Sequence, residues 1–188
     1  MSIFLDSHTI GNASYVFSAD ANGDTGGTND LIYIPRDTSE MNFKALTVSG
    51  KSYTAADQAA AFDTLISNDS YLSSHRGQYA ERGAVFLPVV NRIDLSISQD
   101  VFHSIAGHRH AGQVRLDITN FGNLLNKDWG VGQRLVNNAI LTSPTADTTG
   151  KLTYNLQNVS GNLITTPLQT SAGIADIYVM MLSFRYTF

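Results

Sequence analysis

Near the start of the chain, Asp20-Ala-Asn-Gly-Asp-Thr-Gly-Gly-Thr-Asn-Asp30 offers a run of oxygen donors. Asp20, Asn22 and Asp24 alternate like the first ligands of a helix-loop-helix calcium loop, and hard carboxylate and amide oxygens suit that ion. Two requirements of that motif fail. Thr25 stands where the sixth-position glycine belongs, and Leu31 where the twelfth-position glutamate belongs. The same residues make a plain turn held by Asx hydrogen bonds, so calcium and a metal-free turn are both open. His103, His108 and His110 crowd a second short stretch, where two imidazoles could share a metal. No acidic or cysteine partner lies beside them, and a hydrophilic, His-rich turn is the simpler account. No enzyme is expected, because the chain has no Gly-x-Ser-x-Gly elbow, no His-Glu-x-x-His and no phosphate loop.

Composition narrows the field further. Cysteine is absent, which removes disulfides, thiolate metal sites and a Cys nucleophile. The net charge of -4 and pI near 5.6 leave no basic patch to displace counterions from a phosphate backbone, so nucleic acid is not an expected partner. Only 15% of residues are charged, well below the usual quarter or so. The longest apolar run, Ala84-Val-Phe-Leu-Pro-Val-Val90, is far too short for a spanning helix. Membrane residence, if it occurs, must therefore use strands.

Strand patterns are what the sequence displays best. From Val89 to Phe102, the residues Val89, Ile93, Leu95, Ile97 and Val101 alternate with Arg92, Asp94, Ser96, Ser98 and Asp100. Val114, Leu116 and Ile118 alternate in the same way with Gln113, Arg115, Asp117 and Thr119. In the last strand Tyr178, Met180, Leu182, Phe184, Tyr186 and Phe188 share one face, with aromatic residues toward both ends, and Arg185 falls on the other. Charged rows are costly in a dry interior and cheap beside water. Arg92, Asp94, Arg115, Asp117 and Arg185 are accordingly expected to line a wet lumen, with the apolar rows turned outward to lipid. Residues 2–17 complete a set of about four crossings, with 89–102, 112–123 and 175–188. One short turn at 103–111 alternates with two long excursions, and Thr54–Ser67 in the first predicts an ordered helix capped by Thr54 and Asp57, with Ala55, Ala59, Phe62 and Ile66 on its apolar face. That helix is expected to dock on a loop surface as an insertion, not to build a core. The expected fold is thus all-β, an antiparallel transmembrane β-barrel fragment with long extracellular loops and one short loop helix.

Several segments carry a family resemblance. Asp20-Ala-Asn-Gly-Asp24 precedes Asn29-Asp-Leu-Ile-Tyr-Ile-Pro35, then come Arg76-Gly-Gln78, Asn91-Arg-Ile-Asp-Leu-Ser-Ile-Ser-Gln99 and Leu116-Asp-Ile-Thr-Asn-Phe-Gly-Asn-Leu-Leu-Asn-Lys-Asp-Trp-Gly130. In this order they resemble the C-terminal barrel of TonB-dependent receptors, closest to the Oar-like subgroup. The aromatic ending is similar to the C-terminal signal strand of bacterial outer-membrane barrels, which implies recognition of the face from Tyr178 to Phe188 by the barrel assembly machinery. The resemblance implies an outer-membrane transporter that takes up a ligand when an energised TonB complex remodels a plug. The complete family pattern has a signal peptide, a plug and a coupling box. The opening Met1-Ser-Ile-Phe-Leu-Asp-Ser-His offers none of these, so residues 1–188 are expected to be the closing part of a longer barrel, completed by the remaining strands and plug. Trp129 is expected to anchor at the lipid interface. The competing assignment is a soluble or surface-attached β-rich binding domain with a calcium-stabilised Asp-rich loop.

Overall fold

The structure, a computed structural model, describes every residue except 103, 105, 106, 108, 109, 171 and 172. The chain is mostly β-strand with few helices, and it forms two compact units. Met1–Ile10, Pro88–Gln133 and Thr170–Phe188 make the first; Gly11–Leu87 and Arg134–Gln169 make the second.

The first unit is a four-stranded antiparallel sheet of β1 (Ser2–Thr9), β2 (Val89–Phe102), β3 (Ala111–Thr119) and β4 (Val179–Thr187), in that spatial order. The sheet is open, with β1 and β4 as its edges. Its register pairs Thr9 with Val89 and Thr119 with Val179, so both long excursions start and finish at one end of the sheet. The short connection from β2 to β3 lies at the other end.

Alternation placed most of the sheet correctly, with four differences. The first strand stops at Thr9 and does not run to Phe17, because Gly11 adopts φ +148° and the chain turns away to pair Asn12–Ala13 with Val85–Phe86. β3 ends at Thr119, where Asn120 takes a left-handed conformation and a short helix, Phe121–Leu125, begins. β4 starts at Val179 and not near Asp176, which sits in a 3-10 turn, Ile174–Asp176. A register shift in β2 also pairs Asp100 with Gln113 but Phe102 with Gly112. This bulge brings Phe102, and not the expected Val101, into line with the apolar row.

The second unit has a hydrophobic core of its own. Val16–Phe17 pairs in parallel with the start of Ala139–Ala146, which forms an antiparallel hairpin with Leu152–Leu156. Helix α1 (Ala55–Asn68) packs with these strands. Thr54 and Asp57 close a capping box at its N-terminus, as the sequence predicts, with Thr54 N–H donating to Asp57 at 2.8 Å. Phe62, Leu65 and Ile66 are fully buried, whereas Ala55 is exposed. The helix is therefore a core element and not a docked insertion. Its buried face was set by what covers it, which the alanine-rich pattern could not reveal.

Candidate functional site

The two faces of the four-stranded sheet are the most distinctive chemical feature of the first unit. Register places Ile3 and Leu5 beside Leu95 and Ile93, Ile97 beside Leu116, and Leu116 and Val114 beside Leu182 and Phe184. This row runs across all four strands as one apolar band. Most of it lies open: Ile93, Ile97, Val114 and Met180 are exposed, and Leu182 and Phe184 are 74% and 61% exposed, whereas Leu95 and Leu116 are half-buried and Ile118 is buried. At the end nearest the short connection, Phe102 lies against Tyr186, with ring centroids 6.2 Å apart, and Tyr186 tilts against Phe188. Gly112 makes room for this, since a Cβ there would meet the Phe102 ring at 2.4 Å. At the opposite end Trp129, 54% exposed, lines a shallow cleft with Val89, Asn91 and Ile93.

Arg92, Asp94, Arg115, Asp117 and Arg185 all fall on the opposite face, by the same register. Their contacts differ from one to the next. Arg115 and Asp117 pair along one strand at 2.8 Å. Arg92 reaches past the sheet end to Asp176 at 2.7 Å, and Asp94 accepts the Asn120 N–H at 2.8 Å. Arg185, opposite Gln113, enters no ion pair among the described residues.

Sequence reasoning missed the cluster that gathers at that end of the sheet. Asp176 is only 2% exposed, and its carboxylate accepts from Gly173 N–H at 2.8 Å as well as from Arg92. Burial pushes its carboxyl upward, but the Gly173 and Gly132 N–H groups and the Arg92 guanidinium outweigh this and hold it below the usual range. Asn120, 3% exposed, donates to the carbonyls of Asp176 and Gly130 at 2.9 and 3.2 Å. Asn123 donates to the carbonyls of Lys127 and Trp129. The Asn120-to-Gly130 block, which carries the most specific part of the family resemblance, is thus a structural clasp on the strand end. The spacing Gly173-x-x-Asp176 was the available signal, because it permits the carboxylate to close back on its own turn.

In the second unit, Asp20 accepts the N–H groups of Gly23 and Thr25 at 2.6 and 2.9 Å. Those bonds hold its carboxyl below the ordinary range. Asp24 accepts from Gly26 N–H, and Asp30, which the calcium spacing did not include, closes the loop by accepting from Ala21 N–H at 2.6 Å and from the Asn22 amide at 2.7 Å. Among the described residues no three His, Cys, Asp or Glu side chains gather in a metal-holding group. The oxygen donors of Asp20, Asn22 and Asp24 engage N–H groups as Asx turns do. His103 and His108 lie outside the described residues, while His110 Nδ1 is 2.7 Å from the Tyr186 hydroxyl.

Two of the other resembling stretches, 29–35 and 76–78, meet in the same unit. Tyr33–Ile34 pairs with Gln78–Tyr79, and Arg76 donates to the carbonyl of Arg36 at 3.2 Å. Arg82 ties down the Asn29 carbonyl at 2.9 Å. No helix among the described residues is long and apolar enough to cross a membrane, which says nothing about strands. Compared with known protein families, curated proteins and solved structures, the chain matches none.

Proposed function

We propose that this chain supplies four consecutive strands of a bacterial outer-membrane β-barrel of the TonB-dependent receptor type, serving energised uptake of a ligand. The observation that carries the proposal is the largely uncovered apolar band on one face of β1–β4, backed by a charged row on the other. A soluble sheet would bury such a band under a second layer. An outer-membrane strand leaves it to lipid and turns its charges to a wet lumen. The dimensions agree: the eight steps from Tyr178 to Tyr186 span roughly 27 Å at ~3.4 Å per residue. At a strand tilt of about 40° that covers ~21 Å of depth, close to the ~25 Å apolar band of such barrels.

Both sheet edges and the asymmetry of connections fit the same assignment. Four strands cannot close, since the smallest membrane barrels have about eight, so β1 and β4 await neighbours from the remainder of the barrel. A plug, the TonB complex and the barrel assembly machinery are the partners this assignment implies, with the row from Tyr178 to Phe188 as the assembly signal. Catalysis has no part in it.

Because the chain has no cysteine, single labels can be placed cleanly. Spin labels at Leu182→Cys and Ser183→Cys in phospholipid vesicles should report opposite surroundings, position 182 accessible to oxygen and position 183 to a water-soluble nickel complex. Equal water access at both positions would sink the proposal. The competing assignment, a soluble or surface-attached β-rich domain with a calcium-stabilised loop, draws on the independent core of the second unit. It requires a monodisperse chain without detergent and a calcium-dependent rise in Tm.

A further inference from the structure

The second unit carries a cleft of about 230 Å³ whose chemistry points to a ligand. Its floor is apolar and closed, made by Phe17 and Leu141, which are 5% and 1% exposed. Tyr33 and Tyr79 form one wall as a cross-strand pair, their rings edge to face with centroids 5.3 Å apart. Tyr79 stands 70% exposed. A large aromatic ring left open above a buried aromatic floor is the exception that calls for an occupant.

The polar groups around the cleft fix the class of that occupant. Glu40 spends its charge inside the protein, accepting from the Arg36 N–H at 2.9 Å, the Tyr33 hydroxyl at 3.0 Å and the Arg36 guanidinium at 3.1 Å. Among the described residues the Tyr79 hydroxyl, the Asn42 Oδ1 and the Lys151 Nζ make no hydrogen bond. The open positions are thus an acceptor, a donor and a group that does both. Glu40 is offset by Arg36 at 3.1 Å and Lys151 by the charge of nearby Asp147, so neither an anion nor a cation finds an unbalanced opposite charge here. A neutral ligand with one apolar face and a rim of hydroxyls satisfies all of them. We infer that the cleft binds one pyranose ring of a neutral saccharide, its C–H face on the Tyr79 ring and its hydroxyls on Asn42, Lys151 and the Tyr79 hydroxyl. The volume accommodates a single sugar ring and falls below the ~300–1,000 Å³ typical of drug-sized sites.

Saturation-transfer NMR tests this on the full chain, kept in lauryldimethylamine oxide, a detergent with no sugar headgroup. The probes are methyl α-D-glucopyranoside, methyl β-D-galactopyranoside and cellobiose, with benzoate and a neutral tripeptide as the other ligand classes. At least one saccharide should receive saturation on its ring protons and bind in the millimolar range, as few contacts allow. Tyr79→Ala should weaken that binding roughly tenfold, whereas Tyr79→Phe, which keeps the ring, should weaken it only about threefold. Tyr79 is exposed, so an unchanged circular dichroism spectrum will show that both variants fold. No transfer to any saccharide, transfer indifferent to Tyr79→Ala, or Tyr79-dependent binding of benzoate or the tripeptide alone would overturn the inference. The measurement does not depend on whether the sheet meets lipid, so its failure leaves the barrel assignment untouched.

Discussion

At the scale of single residues, the strongest constraints are buried polar groups with fixed partners. The Tyr15 hydroxyl donates to Asp69 at 2.5 Å, and Asp69 also accepts the Leu72 N–H at 2.8 Å. Burial first, and then the Asp69 carboxylate, push the Tyr15 phenol far above its usual value, so it stays a donor. Tyr15→Phe keeps the ring but leaves the carboxylate short of a partner, and should cost about 2 kcal/mol in urea unfolding. An undiminished urea midpoint would show that water replaces the hydroxyl. Thr25 presents the opposite case, a β-branched residue at φ +72° where glycine is at ease. Thr25→Gly is expected to raise stability by about 1 kcal/mol, provided Asp20 keeps the N–H of residue 25. The sequence flagged this position through a calcium motif it fails to complete, and the backbone takes the glycine-like turn all the same. Gly130 is less forgiving, since a Cβ there would lie 1.9 Å from the Asn120 amide oxygen. Gly130→Ala should therefore lose the clasp at the sheet end, read as faster amide exchange at Asn120 and Asp176.

At the scale of elements, long strands were legible and short ones were not. β2, β3 and β4 each run nine residues or more, long enough for a period of two to declare both faces. The strands of the second unit are often two or three residues, as at Val16–Phe17 and Tyr33–Ile34, and pair with distant partners that no local pattern announces. The bulge before Phe102 was hidden for a related reason, because one extra residue changes the face without changing composition. Helix α1 was legible in its ends but not in its role. Gln58 shows why: a polar residue in an alanine-rich stretch reads as solvent-facing, yet it is fully buried, donating to the Lys44 carbonyl at 2.7 Å and accepting the Leu156 N–H at 3.0 Å. The cap offers the cleanest test at this scale. The Thr54 hydroxyl and then its N–H hold the Asp57 carboxyl below its usual range, so the cap's contribution is complete above about pH 4 and fades as pH falls through the lowered value. Thr54→Ala should lower Tm by about 5 °C at pH 7, and the gap to the unaltered chain should narrow below about pH 3. A gap independent of pH would assign the loss to packing instead of to the capping box.

At the scale of the whole chain, the two units are stabilised by different means. The second buries an aromatic and aliphatic core, with Phe43 edge to face against both Phe62 and Tyr154. The first is a single layer in which, among the described residues, strand hydrogen bonds join only its four strands, while most of its apolar band stays open and its two edges present unpaired backbone groups. In water such a sheet gains little from burial and is prone to associate edge to edge. In a bilayer the band is solvated by acyl chains, and leaving the backbone pairs carries a heavy cost. Hydrogen exchange should separate these regimes within one sample. Without lipid, Phe62, Leu65 and Ile140 should be strongly protected while the edge strands 2–9 and 179–187 exchange fast. Adding phospholipid should slow exchange selectively in 2–9, 89–102, 111–119 and 179–187 and leave the second unit unchanged. Protection that is uniform and indifferent to lipid would mean that the sheet is held by protein contacts alone, and the outward-facing assignment of Leu116, Leu182 and Phe184 would have to be given up.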